Sequence, residues 1–550
     1  METIASFLRG KSLLIAGATG FLGQPLVEKI LRRIPEVGQL YLLIRPKRQG
    51  RGVLSAADRF EQEVLRSDVF DRLRRERGEE FEAFIRAKVT PLSGDITQDR
   101  LGLEPDTYAR LAREVEVVIN SAAVVVFDEQ VDLALALNTL GPQTMLNFAR
   151  DCGNAVFVHV STAYVCGRRA GLVPEEVLGQ PGRRGRGPVA PFDLEVEIEA
   201  MQAASRAIRR RAQSPEMTER FRRLASRNRR NGAAADEQDI REGLNAEREK
   251  WLREELVREG MRRAQAYGWN DTYTLTKAMG EQLLVAHRGD VPLVILRPSI
   301  IESSLAEPEP GWLDGFRMAD PIIVAYGKGR LNDFPANPAT VMDLIPVDYV
   351  VNALLATLPK AQAEGGLAVY HVATGDVNPL NFQFLYDATR DYFLKNPMLD
   401  KRGQPIRVSQ WSFSSKRMFR FKNWLRRRLP LGIAAWVMER VPWKSPRKHR
   451  WNVLLKELDR LDYYTDIYSP YTHLSFIFDT THTRELFASL SPEDQAAFHF
   501  DPTTIDWRHY IQEVHIPGLQ RHVLKREGRR SQGERDPAAV QRMEAQEIAT

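Results

Sequence analysis

Apolar and polar positions follow two periods over the first 160 residues. Short apolar runs lie at 12–16, 39–44, 88–93, 115–119 and 155–160. Their near-continuous Val, Ile and Leu content predicts strands covered on both faces. Between several of them the apolar spacing turns helical, as from Pro25 to Arg33. This alternation predicts βαβ units and an α/β fold built on a parallel sheet. Val291 to Pro298 is a further buried-type strand, and Ile345 to Asp348 and Val369 to Ala373 read as late ones. From about 193 the pattern changes to charged helices rich in Glu, Arg and Ala, with a turn expected near Asn231-Gly232 and Gly/Arg-rich punctuation at 181–187. The segment 175–265 thus reads as an insertion, either a solvated helical hairpin or a lid. After 378 a second region begins. Residues 527–550 carry few large apolar side chains and are expected to be a disordered tail.

The ends of the predicted strands carry the candidate chemistry. The first runs straight into Gly17-Ala18-Thr19-Gly20-Phe21-Leu22-Gly23 and then a helix. Glycines at such a turn let the backbone approach a pyrophosphate, and the helix start offers unpaired N–H groups and a positive dipole end. The second strand ends in Arg45, where NAD-binding chains often hold the ribose with an acid; a base there accommodates the 2′-phosphate of NADP. Asp95-Ile96 and Asn120-Ser121-Ala122-Ala123 follow the third and fourth strands, on the side where a parallel sheet binds its ligand. The fifth ends in Ser161-Thr162. Far downstream, Tyr273 and Lys277 stand four apart and share a helix face. A nearby ammonium would lower the phenol's pKa and make it a proton donor to a carbonyl, with a Ser or Thr hydroxyl polarising the same oxygen.

Composition narrows the classes. At 550 residues two or three domains are expected. A net charge of +6 suits anionic ligands without arguing for nucleic acid. Two cysteines, Cys152 and Cys166, give neither a disulfide framework nor a zinc spacing, and no metal site is expected. A reducing cytoplasm fits, and no run reaches the ~18 apolar residues of a membrane span. Residues 416–450 interleave basic and aromatic side chains, as at a membrane interface or a base-stacking surface.

The glycine turn, Ser161-Thr162, Tyr273 and Lys277 resemble the extended short-chain dehydrogenase/reductase family. More narrowly the chain resembles fatty acyl-CoA reductases of the bacterial alcohol-forming type. The strings that carry this are Asn120 to Ala123 with Phe127-Asp-Glu129, Val160 to Val165, Tyr267 to Lys277, Arg297 to Ser303, Glu307 to Trp312, Ile505-Asp-Trp507 and His515 to Leu519. The resemblance implies a Rossmann-type doubly wound sheet over 1–377, a mostly helical acyl-chain domain over 378–526, and NADPH as cofactor. It implies Tyr273 as proton donor, Lys277 as its partner on the nicotinamide ribose, Thr162 as the third member with Ser161 beside it, and Pro298-Ser299-Ile300 beside the carboxamide. Gly17, Thr19, Gly20, Phe21, Leu22, Gly23, Arg45, Asp95, Ile96, Asn120 and Ala122 complete the expected cofactor site. The expected reaction takes a long-chain acyl-CoA through an aldehyde to a primary alcohol and releases CoA. The insertion would cover the acyl chain or present Arg209, Arg210 and Arg211 to the CoA phosphates. No nucleic-acid partner is expected; a peripheral contact at the inner membrane face is. The sequence sets no oligomeric state. Rivals are a reductase stopping at the aldehyde, a nucleotide-sugar epimerase or dehydratase, and a non-catalytic NADP-sensing or membrane-tethering protein.

Overall fold

The computed structural model describes residues 2–49, 52–177, 192–228, 237–331, 333–400, 402–425 and 471–524. The turn expected at Asn231-Gly232, the 181–187 punctuation, most of the basic–aromatic stretch and the 527–550 tail lie outside the described residues.

Seven parallel strands form the main sheet: β1 (Ser12–Ala16), β2 (Leu40–Ile44), β3 (Val89–Ser93), β4 (Val115–Asn120), β5 (Val156–Val160), β6 (Leu293–Pro298) and β7 (Leu367–Val372). Their spatial order is β7-β6-β5-β4-β1-β2-β3. The order reverses between β1 and β4, so a crevice opens at the carboxyl ends of those two strands. Every residue of β2, β5 and β6 is buried, as a sheet covered on both faces requires. This is the doubly wound α/β architecture expected from the sequence.

Helix α1 (Gly23–Arg33) follows the glycine turn and buries Leu26, Val27, Ile30 and Leu31 on the sheet. The insertion folds as three helices: α2 (Leu194–Ala212), α3 (Pro215–Asn228) and α4 (Glu237–Ala266). It is not merely solvated. Met201, Leu256 and Ala264 pack with Trp269 and Leu275 at the start of α5 (Thr272–His287), the helix that carries Tyr273 and Lys277. Arg209 pairs with Asp132, and Arg211 lies 5.6 Å over the Trp251 ring, so both have protein partners.

The late strand at 345–348 is shorter than its apolar run suggested. Leu344–Pro346 is extended, and Pro346 then caps α7 (Val347–Glu364), which follows α6 (Asp320–Gly327). Asp348 in the first turn of α7 accepts from the backbone N–H groups of Leu305, Ala306 and Glu307, which anchors a loop that a strand residue could not reach. Helix α8 (Phe382–Lys395) and the short α9 (Lys416–Asn423) follow. The chain returns at 471–524, where Phe476–Phe478 pairs with Gly171–Val173 just beyond β5. No helix among the described residues is long and apolar enough to cross a membrane.

Candidate active site

A cleft of about 340 Å³ opens over the carboxyl ends of β1, β4, β5 and β6. Gly17, with φ +89°, turns the chain out of β1; a Cβ there would stand 2.6 Å from the backbone of Ser121 and Ala122. A Cβ on Gly23 would collide with the Gly17 carbonyl, so both glycines are demanded by the fold itself. Gly20 differs. A Cβ there meets only the Gly17 carbonyl, at 3.2 Å, and the space in front of it is free. That free cradle at a helix N-terminus fits a pyrophosphate.

Gly17, Gly20, Phe21, Leu22, Gly23, Ser161, Thr162, Tyr273, Lys277, Pro298, Ser299 and Ile300 all line this one cleft. The remaining expected residues do not. Thr19 stands half-buried in the turn, its carbonyl accepting from Gln24. Asp95 is turned back on its own loop, accepting from the Thr97 N–H and hydroxyl. Ile96 is buried beneath Gly141. Ala122 donates its N–H to Asn120 Oδ1. Arg45 is exposed one residue past β2, on the strand beside β1.

Asn120 is fully buried behind the cleft rather than in it. Its Oδ1 is occupied by the Ala122 N–H, so Nδ2 faces His159 Nδ1 at 3.3 Å. The other ring nitrogen of His159, Nε2, faces Lys277 Nζ at 3.4 Å. Lys277 is fully enclosed, donates to the Val160 carbonyl at 2.7 Å, and is lowered by burial to about 8. His159 itself is held neutral by burial and by Lys277.

Asp271 caps α5, accepting from the Thr274 N–H at 2.8 Å, and so fixes the first turn on which Tyr273 sits. The Tyr273 ring meets Phe127 edge-on at 6.1 Å, and its hydroxyl lies beside the Thr162 side chain. The expected acidic phenol is corrected here. Burial, then the Asp271 charge, raises its pKa, with only the Thr162 side chain opposing. Lys277 is not among the groups that shift this phenol. Tyr273 is thus a firmly protonated donor. Ser161 Oγ is buried with no hydrogen-bond partner among the described residues, a polar atom in the cleft wall still lacking one. Cys166 is buried and its thiol pushed up to about 12, which suits an inert packing role.

Several lining residues carried no recognisable motif in the sequence. Tyr471 comes from the far end of the chain; its hydroxyl donates to Asp271, and its ring stacks on Phe127 at 5.4 Å. Arg317 lies 3.9 Å over the Phe21 ring of the glycine turn. Glu302, Asp320 and His515 meet nearby with ligand atoms within 4.8 Å of one another. His515 pairs with Asp320 at 2.9 Å and Arg317 lies beside both acids, so this cluster carries its own cations and does not call for a metal.

A glycine cradle at the switch point of a parallel sheet, facing a Thr/Tyr/Lys set, is the site of a Rossmann-type, dinucleotide-binding reductase. Residues 15–354 match an NAD-binding family model described as male sterility protein, and 433–526 match a second with the same description. The chain is 36% identical to fatty acyl-CoA reductase 2, chloroplastic, of Arabidopsis thaliana, over 95% of this chain and 80% of that one. It is 34% identical to an alcohol-forming fatty acyl-CoA reductase of Simmondsia chinensis, over 95% and 99%. Among solved structures it is similar in fold to the terminal R domain of the myxalamid PKS-NRPS pathway, with a TM-score of 0.53 at 18% identity over 93% of this chain and 91% of that one. The chain belongs to the male sterility family of fatty acyl-CoA reductases.

Proposed function

We propose that the protein reduces long-chain fatty acyl-CoA to a primary alcohol through an aldehyde, using NADPH and releasing CoA. The observation that carries this is one protonated phenol, Tyr273, beside Thr162 in the cleft that the glycine turn opens. A reduced nicotinamide bound there supplies hydride. The chain's own part is to hold and protonate the carbonyl oxygen. Tyr273 donates to it, and Thr162 and Ser161 orient it. Lys277 fixes the ribose hydroxyls, while His159 and Asn120 hold Lys277 from behind. Pro298, Ser299 and Ile300 lie beside the carboxamide. Residues 1–377 bind the cofactor and 378–526 the acyl group.

The ammonium form of Lys277 is the working one, so activity is full below its pKa and is lost above it. The expected result is a kcat/KM profile falling above pH about 8, the value burial gives Lys277. A profile flat to well above that pH would remove the charge from the mechanism.

Arg45 is the selector for the 2′-phosphate; its exposed position beside the glycine turn supports this. Arg45→Asp is expected to raise Kd for NADPH by roughly tenfold and leave NADH nearly unchanged, since a charge-assisted contact contributes about 1.5 kcal/mol or more. Equal weakening of both would remove that role.

We also place the protein in the cytoplasm, with a peripheral membrane contact. Met418, Phe421, Trp424 and Leu425 are about half exposed, and Arg417 and Arg420 beside them are exposed too, which supports an interfacial helix.

Purified protein given palmitoyl-CoA and NADPH should yield hexadecanol with two NADPH consumed per acyl group. Hexadecanal with one NADPH consumed would fit the aldehyde-stopping rival. No acyl-dependent NADPH oxidation would overturn the proposal.

A further inference from the structure

Met318 and Tyr471 have a second face. Beyond the cleft they also line a narrow apolar pocket between α6 and α8, with Ile322, Leu385, Tyr386 and Trp411 around it. Two polar groups of this region bond within the wall: the Thr389 hydroxyl donates to the Leu385 carbonyl at 2.7 Å, and that of Tyr326 to the Ser409 carbonyl at 2.8 Å. The Tyr386 hydroxyl and the Trp411 N–H are buried without a hydrogen-bond partner among the described residues. The centre of a water-sized sphere can range over about 30 Å³ of the pocket. Its lining is carbon almost throughout, whereas a buried water needs two to four polar partners. With only those two unpartnered polar atoms in a carbon wall, the pocket suits an apolar chain better than water.

The two shared residues have opposite mechanical characters. Tyr471 is fixed at both ends, its hydroxyl on Asp271 and its ring between Phe127 and Tyr164. Met318 is only partly buried and is unbranched, so it can change rotamer without moving the backbone. The far wall is rigid: the Tyr386 and Trp411 rings have centroids 3.7 Å apart, and Tyr326 meets Trp411 edge-on at 5.1 Å.

We propose that this pocket receives the distal methylenes of the acyl chain, with Met318 as the movable side of its entrance, and that its depth sets chain-length preference. This rests on the reading of the cleft as an acyl-CoA site. A chain whose thioester carbonyl lies against Tyr273 and Thr162 passes Tyr471 and enters when Met318 swings aside. A chain too short to pass Met318 gains nothing from the pocket; a longer one buries each further methylene against Ile322 and Leu385.

The test uses the full chain with Ile322→Trp and Ile322→Ala; Ile322 is only partly buried and stands outside the reacting cleft. The quantity read is the ratio of kcat/KM between acyl-CoA lengths, with NADPH affinity as the control. Ile322→Trp is expected to lower the hexadecanoyl-to-octanoyl ratio about tenfold, the loss of about two methylenes at ~0.8 kcal/mol each. Ile322→Ala is expected to raise the octadecanoyl-to-hexadecanoyl ratio. NADPH affinity should be unchanged in both. Wild-type ratios in both variants would overturn the proposal, and if one variant does not fold the ratio of the other decides. Wild-type protein that oxidises no NADPH with any acyl-CoA would instead overturn the functional reading, so the two failures are distinct.

Discussion

Tyr273→Phe should lower turnover by about 10²–10⁴-fold, the usual range for loss of a general acid, and leave NADPH affinity essentially unchanged. The two halves of that result have separate causes. The phenylalanine ring keeps the edge-on contact with Phe127, and Asp271 still caps the helix through Thr274, so the cleft keeps its shape. What disappears is one O–H, the group that protonates the carbonyl oxygen. Because burial and Asp271 hold this phenol protonated, its loss should be uniform across neutral and moderately alkaline pH. Steady-state rates with acyl-CoA, beside cofactor titration by fluorescence, read both quantities. Near-normal turnover would mean that another group delivers the proton.

The second large effect is on stability. Glu281→Gln is expected to cost about 3–5 kcal/mol, the range for removing one charge from a buried ion pair. Glu281 is on α5, one turn past Lys277, and takes two bonds from Arg297: 2.9 Å from Nε and 2.5 Å from a terminal nitrogen. Each side chain is about 2% exposed. Arg297 also donates to the Glu176 carbonyl and meets His371 on β7 at 3.2 Å. Burial and that guanidinium keep His371 uncharged. Removing the carboxylate leaves a guanidinium enclosed without a counter-charge, one residue before Pro298. Denaturant unfolding measures the loss. Replacing both partners together, Glu281→Leu with Arg297→Met, should recover most of it, because no buried charge is then left alone. A double variant as unstable as the single one would show that shape, not charge, dominates there.

Much of the fold was legible in the residues because it is written in local chemistry. Apolar runs between helical stretches can only be covered strands, and Gly17 and Gly23 follow from backbone approaches that no side chain permits. The pairing of Tyr273 with Lys277 needs only a helical repeat. The strand expected at 345–348 is present but stops at Pro346, for a non-local reason: Asp348 answers the backbone of residues 305–307, far away in sequence. Tyr471 was invisible for a related reason. It lies 198 residues past Tyr273, with nothing in its own neighbourhood to mark it.

The sequence alone determined the element order, the glycine turn and the set of hydroxyl, phenol and amine groups brought towards one sheet edge. Tertiary structure alone decided their charge states and their surroundings. It placed Asn120 behind the cleft, turned Lys277 towards Val160 and His159, and raised the Tyr273 phenol that an adjacent ammonium was expected to lower. The reason is that spacing along a chain fixes which groups can meet, whereas desolvation and the direction of a side chain depend on every element packed around it.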